Sequence, residues 1–306
     1  MTDISRYLTE EVVVDYADGL ISRREALRRL SLLGIGAAVA GPMLAACDAG
    51  GGGGASSSPP SVPSPPGSAA GSAPAGPPPL PTQAITFAGP EGRSLQGAWA
   101  EAATPRGTVL VIHENRGLND HIRSVAGRLA ASGFSALAID LLSEEGGTAK
   151  FADPAQATAA LNAAPPARFV ADMKAGVNEL LRRVPARKPA AVGFCFGGGM
   201  VWSLLASGEP RLGAAAPFYG PFPANADLSG SRGAAVLAIY GELDTRVNAS
   251  RDAAKAALEK SGMTHDIVTY PAANHAFFND TGDRYNAAAA AAAYQRLVDW
   301  FGQHLT

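Results

Sequence analysis

The stretch Val192-Gly193-Phe194-Cys195-Phe196-Gly197-Gly198-Gly199 constrains what this chain can fold into more than any other. The apolar run Pro189–Phe194 reads as a short buried strand that stops at Cys195, and the glycines after it open a helical pattern over 200–207. This is strand, sharp turn, helix, with a nucleophile at the corner. A turn of this kind holds its central residue in a strained conformation, so the positions two before and two after must be small. Gly193 and Gly197 occupy them. The turn lifts the sulfur into the crevice beyond the carboxyl end of the strand. It also sets it at a helix N-terminus, where unpaired N–H groups favour a thiolate. Taken alone, the pattern equally suits a buried core cysteine beside a tight turn; the rest of the chain has to decide.

From about Gln83 onward the sequence has the size and pattern of one α/β domain. Residues 85–87 and 94–100, split by Gly89-Pro90-Glu91-Gly92, read as an antiparallel hairpin. The continuous apolar run at 108–112 reads as a strand buried on both faces, and 134–139, 213–219, 234–240 and 264–270 read as further strands. Helical periodicity runs through 120–132 (Ile122, Val125, Leu129), 169–184 (Val170, Met173, Val177, Leu180), 249–261 and 284–304. Residues 141–166 are irregular and suit a lid or short helices. The alternation predicts a mostly parallel, doubly wound sheet with the hairpin at one edge.

The first eighty residues have no globular character. A polar lead over 1–20 precedes Ser22-Arg23-Arg24-Glu25, and an apolar segment follows over 30–46. That segment is short for a membrane span, and its glycines and Pro42 weaken it further. The paired arginines resemble a twin-arginine export signal, which carries folded proteins across a membrane. Leu44-Ala45-Ala46-Cys47 resembles a bacterial lipobox, in which the cysteine is lipidated and becomes the new N-terminus. A retained N-terminal anchor helix is the alternative. The expectation is a signal peptide over 1–46, a lipidated Cys47 heading a Gly/Ser/Pro linker over 47–82, and a catalytic domain over 83–306 anchored outside the cytoplasm. The formal net charge of −2 gives no reason to expect nucleic acid as a partner.

Partners for Cys195 are expected in the order nucleophile, acid, histidine, each on a loop at a strand's carboxyl end. Asp244 follows strand 234–240 in Gly241-Glu242-Leu243-Asp244, and His275 follows strand 264–270 in Ala272-Ala273-Asn274-His275. Singly, each is an ordinary loop residue; together and in order they make a candidate triad in which His275 takes the thiol proton and Asp244 orients the ring. Glu114, in His113-Glu114-Asn115-Arg116-Gly117, follows strand 108–112, where such folds supply the second oxyanion donor. The N–H groups of Phe196 and Asn115 are the candidate donors, and a carboxylate at Glu114 would disfavour a thiolate or accept the thiol proton. The alternative for Glu114 is a solvated loop residue. His113-Glu114 lacks the second spaced histidine of a zinc site, so no metal and no cofactor are expected.

These motifs together resemble the dienelactone hydrolase (carboxymethylenebutenolidase) family over roughly residues 83–306. The resemblance implies a compact α/β-hydrolase fold, monomeric in many members, that acts on small ester or lactone substrates. It carries over Cys195, Asp244 and His275 as the triad and Glu114 as the residue paired with the resting cysteine. Two departures stand out: Ala272 replaces a frequent glycine, and Asn279 stands four residues past His275, where members that grip a substrate carboxylate have an arginine. No arginine lies between Arg128 and Arg168 either. The expected substrate is therefore a small neutral ester or lactone in a pocket walled by Phe194, Phe196, Phe277 and Phe278, unless Arg116 or Arg284 reaches in. The competing readings are a broad thiol esterase without lactone preference and a lipoprotein that only binds a ligand on this fold.

Overall fold

Strands buried on both faces require helices on both sides of the sheet, and the chain beyond Gln83 supplies the two in alternation. The computed structural model describes residues 3–49 and 74–305. Its strands are β1 (Gln83–Ala88), β2 (Ser94–Ala100), β3 (Gly107–Ile112), β4 (Phe134–Asp140), β5 (Pro189–Phe194), β6 (Ala214–Phe218), β7 (Ala235–Gly241) and β8 (His265–Tyr270). They form one sheet in the order β1-β2-β4-β3-β5-β6-β7-β8. The expected hairpin is there: β1 pairs antiparallel with β2, and β2 antiparallel with β4. All other pairings are parallel. Every residue of β3 through β7 is buried, as continuous apolar runs predict, whereas the edge strand β8 is half-exposed.

Helices α4 (Asp120–Ala131), α6 (Pro166–Arg183), α7 (Phe196–Ala206), α9 (Arg251–Lys260) and α10 (Ala287–His304) lie where periodicity placed them. α4 and α10 share one face, joined by the Ser132–Tyr294 hydroxyl contact at 2.8 Å, and α6 packs beside α7 on the other. The irregular stretch after β4 contains two short 3₁₀ turns and α5 (Pro154–Ala163), and α8 (Thr245–Asn248) is a single turn after β7. The Asp140 carboxylate organises the stretch after β4 by accepting from Leu142 N at 3.0 Å and Thr148 N at 2.7 Å. Strand order reverses between β4-β3 and β3-β5, which opens a crevice at the carboxyl ends of β3 and β5.

The N-terminal region departs from the sequence reading. Three helices, α1 (Asp3–Ala17), α2 (Arg23–Leu32) and α3 (Ala37–Ala49), pack on one another, and α1 and α2 pack on α5. Tyr7, Leu8, Val12, Ala26, Leu30 and Leu44 are buried. Ser22 caps α2 by accepting from Glu25 N at 3.2 Å. The spacing that looked like a polar lead is amphipathic, with one apolar stripe turned to the domain. No helix among the described residues is long and apolar enough to cross a membrane. Residues 50–73, the body of the expected linker, and the Cys47 side chain lie outside the described residues.

Candidate active site

The turn at Cys195 has the strained geometry its glycines imply. Cys195 sits at φ 57°, ψ −118°, between β5 and the first residue of α7. A Cβ on Gly193 would lie 2.1 Å from the carbonyl oxygen of Gly197, and one on Gly197 would lie 2.4 Å from that of Ile112. Neither position admits a side chain, since both obstacles are backbone. Phe196 opens α7, so its N–H has no partner within the helix.

Asp244 caps α8, accepting from Val247 N at 3.2 Å, and its other oxygen meets His275 Nδ1 at 2.5 Å. That leaves Nε2 of His275 facing Cys195, with the nitrogen and sulfur within 4.8 Å of each other. Burial would push the Asp244 carboxyl up, but His275 and its hydrogen bond outweigh this and hold it below the usual carboxylate range. The structure thus brings Cys195, Asp244 and His275 together as their order predicts.

The loop after β3 is held by His113, which is fully buried. Leu141 N donates to its Nε2 at 3.1 Å, so Nδ1 carries the proton and donates to the Glu114 carbonyl at 2.7 Å. Burial lowers the His113 pKa, in keeping with a neutral ring. Gly117 N also donates to the Glu114 carbonyl, at 3.2 Å. With that carbonyl pinned, the trans peptide turns the Asn115 N–H the opposite way. Asn115 lines a cavity of about 210 Å³ that reaches Cys195.

Glu114 is buried, but it is not bonded to the cysteine: its carboxylate accepts from Asn279 Nδ2 at 2.6 Å. Asn279, where an arginine was sought, is therefore committed to holding Glu114. The group that touches the sulfur is Tyr7 of α1. Its hydroxyl lies 3.1 Å from Cys195 Sγ and 3.3 Å from His275 Nε2. Glu11, one turn on, places a carboxylate oxygen 3.6 Å from the same Nε2 and also pairs with Arg246. Burial, and next the Glu11 carboxylate, raise the Cys195 thiol pKa against the pull of His275. Burial would lower that of His275, but Glu11 and then Asp244 raise it well above the ordinary value. Neither Tyr7 nor Glu11 was foreseen, because that segment reads as a leader.

The expected phenylalanine wall is mostly core. Phe194, Phe277 and Phe278 have no exposed surface, and Phe194 packs against Phe278 at 5.1 Å and Phe218 at 4.9 Å between ring centroids. Only Phe196 of the four lines a groove, of about 520 Å³, with Met200, Phe222 and Val247 opposite Ile4 and Tyr7 of α1. Arg116 and Arg284 do line the smaller cavity beside Cys195. Arg284 is bound there by Asp15 at 2.9 Å and Asp18 at 2.7 Å. Burial, and then Glu11, push the Asp15 carboxyl upward against the pull of Arg284. Among the described residues one trio of metal-donor types converges, Glu11 with Cys195 and His275. Its cysteine and histidine atoms are the two that Tyr7 already engages.

Comparison with known proteins agrees with the fold. Residues 95–305 match the dienelactone hydrolase family. The "putative carboxymethylenebutenolidase" of Escherichia coli O157:H7 is 32% identical over 212 residues, covering 65% of this chain and 78% of its own. The crystal structure of a "putative dienelactone hydrolase" from Klebsiella pneumoniae subsp. pneumoniae superposes with a TM-score of 0.63 at 28% identity, over 73% of this chain and 100% of that one. A dienelactone hydrolase-like promiscuous phosphotriesterase from metagenomic libraries gives 0.62 at 26% identity, over 74% of this chain and 100% of its own. The chain belongs to the dienelactone hydrolase family, whose members are hydrolases of esters and lactones.

Proposed function

We propose that this hydrolase works by covalent catalysis on Cys195, with His275 as base and Asp244 as the group that orients it. The observation carrying this is the 2.5 Å contact between Asp244 and Nδ1 of His275, which aims Nε2 at a sulfur raised on a strained turn. The thiol proton passes to Nε2 as sulfur bonds to the carbonyl carbon of an ester or lactone. The oxyanion is taken by the N–H groups of Phe196 and Asn115. As the tetrahedral species collapses, the C–O bond breaks and the imidazolium protonates the leaving oxygen. Water, deprotonated by His275, then hydrolyses the thioester and frees the acid. The substrate is a small ester or lactone and no cofactor takes part in this scheme. Cys195→Ala is expected to lower esterase activity by about 10²-fold or more, and wild-type protein quenched with substrate is expected to carry the acyl mass on the Cys195 peptide. Undiminished turnover by the variant would sink the scheme.

The export reading is a separate proposal. Arg23-Arg24 followed by the apolar segment, and Leu44-Ala45-Ala46 before Cys47, support removal of residues 1–46 and lipidation of Cys47. The hydrolase would then act as a monomer tethered to a membrane outside the cytoplasm. Mass spectrometry of the membrane fraction should find diacylglycerol on an N-terminal Cys47; an intact Met1 there would refute it.

A further inference from the structure

We infer that the N-terminal helix is an intramolecular inhibitor of this hydrolase: α1 seats Tyr7 between Cys195 and His275 and sets Glu11 against the base, so the enzyme is held to a small fraction of its activity until that segment leaves. The inference rests on the Cys195–His275–Asp244 mechanism proposed above.

The first support is occupancy. A carbonyl carbon must come within about 3–3.5 Å of the sulfur to be attacked. The Tyr7 hydroxyl already stands 3.1 Å from Sγ and 3.3 Å from Nε2, in the space between nucleophile and base. With α1 in place Cys195 is 3% exposed and His275 1%. A phenol offers the sulfur no carbonyl to attack, so it binds without being turned over. One hydroxyl proton cannot serve both partners, so the phenol donates to one and accepts from the other, filling both.

The second support is charge. A carboxylate 3.6 Å from Nε2 stabilises the imidazolium, and an imidazolium cannot take the thiol proton. Glu11 thus acts on the base while Tyr7 blocks the nucleophile. Both side chains come from one turn of one helix.

The third support is the manner of attachment. Leu8 and Val12 are buried, Arg246 lies over the Tyr7 ring at 4.3 Å and donates to its carbonyl oxygen at 3.4 Å, and ion pairs join α1 and α2 to the domain. Arg246 holds Glu11, Arg284 holds Asp15 and Asp18, and Arg28 holds Asp153 at 2.6 Å. The acidic groups Glu11 and Asp15 on the helix and Asp18 just past its end recur at helical spacing and meet arginines each time, which is how a helix is bound as a ligand. Meanwhile Arg23 and Arg24 at the start of α2 are exposed, so the paired arginines remain accessible while α1 is docked. A leader that leaves only after the domain has folded would keep the thiol covered until export.

The test uses the full chain in three forms: wild type, Asp15→Lys/Asp18→Lys, which sets cations against Arg284, and Tyr7→Ala. All the changes lie in the N-terminal segment, and circular dichroism checks that the domain stays folded. Two rates are read: hydrolysis of p-nitrophenyl acetate, and alkylation of Cys195 by iodoacetamide, followed on its own peptide by mass spectrometry. Both should rise about tenfold or more in each variant, the gain expected when the competent fraction goes from a few per cent to a majority. Unchanged rates in the two variants would overturn the inference. So would a fall in kcat for Tyr7→Ala, which would make Tyr7 a participant in the reaction. Adding Cys195→Ala to the released form separates the two claims. Surviving hydrolysis there would defeat the thiol mechanism, while faster alkylation in the parent variants would still report that α1 covers the sulfur.

Discussion

The carboxylate of Asp244 and Nδ1 of His275 are 2.5 Å apart, while Glu11 stands 3.6 Å from Nε2 on the other side of the same ring. An imidazole flanked by two carboxylates keeps its proton to higher pH than a free histidine, whose pKa is about 6.5. The raised His275 pKa contributes stability to the docked form that is fully present below the unfolded value and is lost as pH rises through the folded value. The depressed Asp244 carboxyl works the other way: its contribution holds above the unfolded pKa and is lost on acidification. For the reaction, the pair Cys195–His275 must shed one proton, so the acid limb of kcat/KM should lie above the ordinary histidine range. Glu11→Gln should move that limb to lower pH. A pH–rate profile of wild type and variant checks this, and an unmoved limb would count against Glu11 acting on the base.

Gly193 offers a test of the elbow apart from its chemistry. A methyl at this position would meet the Gly197 carbonyl oxygen at 2.1 Å, and neither strand nor helix can retreat without breaking β5 or α7. Gly193→Ala should cost about 3 kcal/mol and displace Cys195 from its turn. Urea unfolding would show the lower midpoint, and activity should fall even where the protein remains folded.

Ala272 invites the opposite change. It lies on the loop leading to His275 with φ 51°, in the left-handed region that a side chain disfavours. Ala272→Gly relieves a strain of about 1–2 kcal/mol and adds about 0.5–1 kcal/mol of unfolded-chain entropy, leaving a net gain of roughly 0.5–1 kcal/mol. Thermal unfolding should shift upward by about 1–3 °C, with kcat unchanged. A lower midpoint would mean that the strain is relieved elsewhere.

Cys195, Asp244 and His275 were legible because each depends on local rules that topology then brings together: glycines around a turn, and loops after parallel strands. Glu114 was legible as a loop residue but not in its partner, since the bond to Asn279 joins loops 165 positions apart. Phe194 misled because strand alternation sends it under the sheet, into a stack with Phe218 and Phe278, and not into the crevice. Tyr7 and Glu11 were the real omission. The paired arginines and Cys47 made residues 1–46 look like a segment with only an address, yet a signal was present. Tyr7, Leu8 and Val12 form an apolar stripe, and Glu11, Asp15 and Asp18 recur at helical spacing beside it. A leader read by a receptor alone has no need of such a face.

The same arginines bear on substrate choice. The sequence favours neutral esters, because Asn279 replaces an arginine and none lies between Arg128 and Arg168. With α1 docked, the cavity at Cys195 is lined by Glu11, Asp15 and Glu114 together with Arg29, Arg116 and Arg284, and Arg284 is neutralised by Asp15 and Asp18. An anionic ester entering there finds Arg246 and Arg284 already paired, so whatever turnover the full chain shows should favour the neutral substrate. Loosening α1 shifts that field toward positive, since Arg246 loses Glu11 and Arg284 loses both its partners. One charge-assisted hydrogen bond to a substrate carboxylate is worth about 1.5–3 kcal/mol, or tenfold and upward in relative kcat/KM. The comparison is p-nitrophenyl acetate against p-nitrophenyl hemisuccinate, in wild type and in Tyr7→Ala/Leu8→Ala, which weakens docking without altering the charge of the helix. The hemisuccinate-to-acetate ratio should climb about tenfold in the variant. A ratio equal in both forms would show that Arg246 and Arg284 serve only to hold the helix and take no part in selecting the substrate.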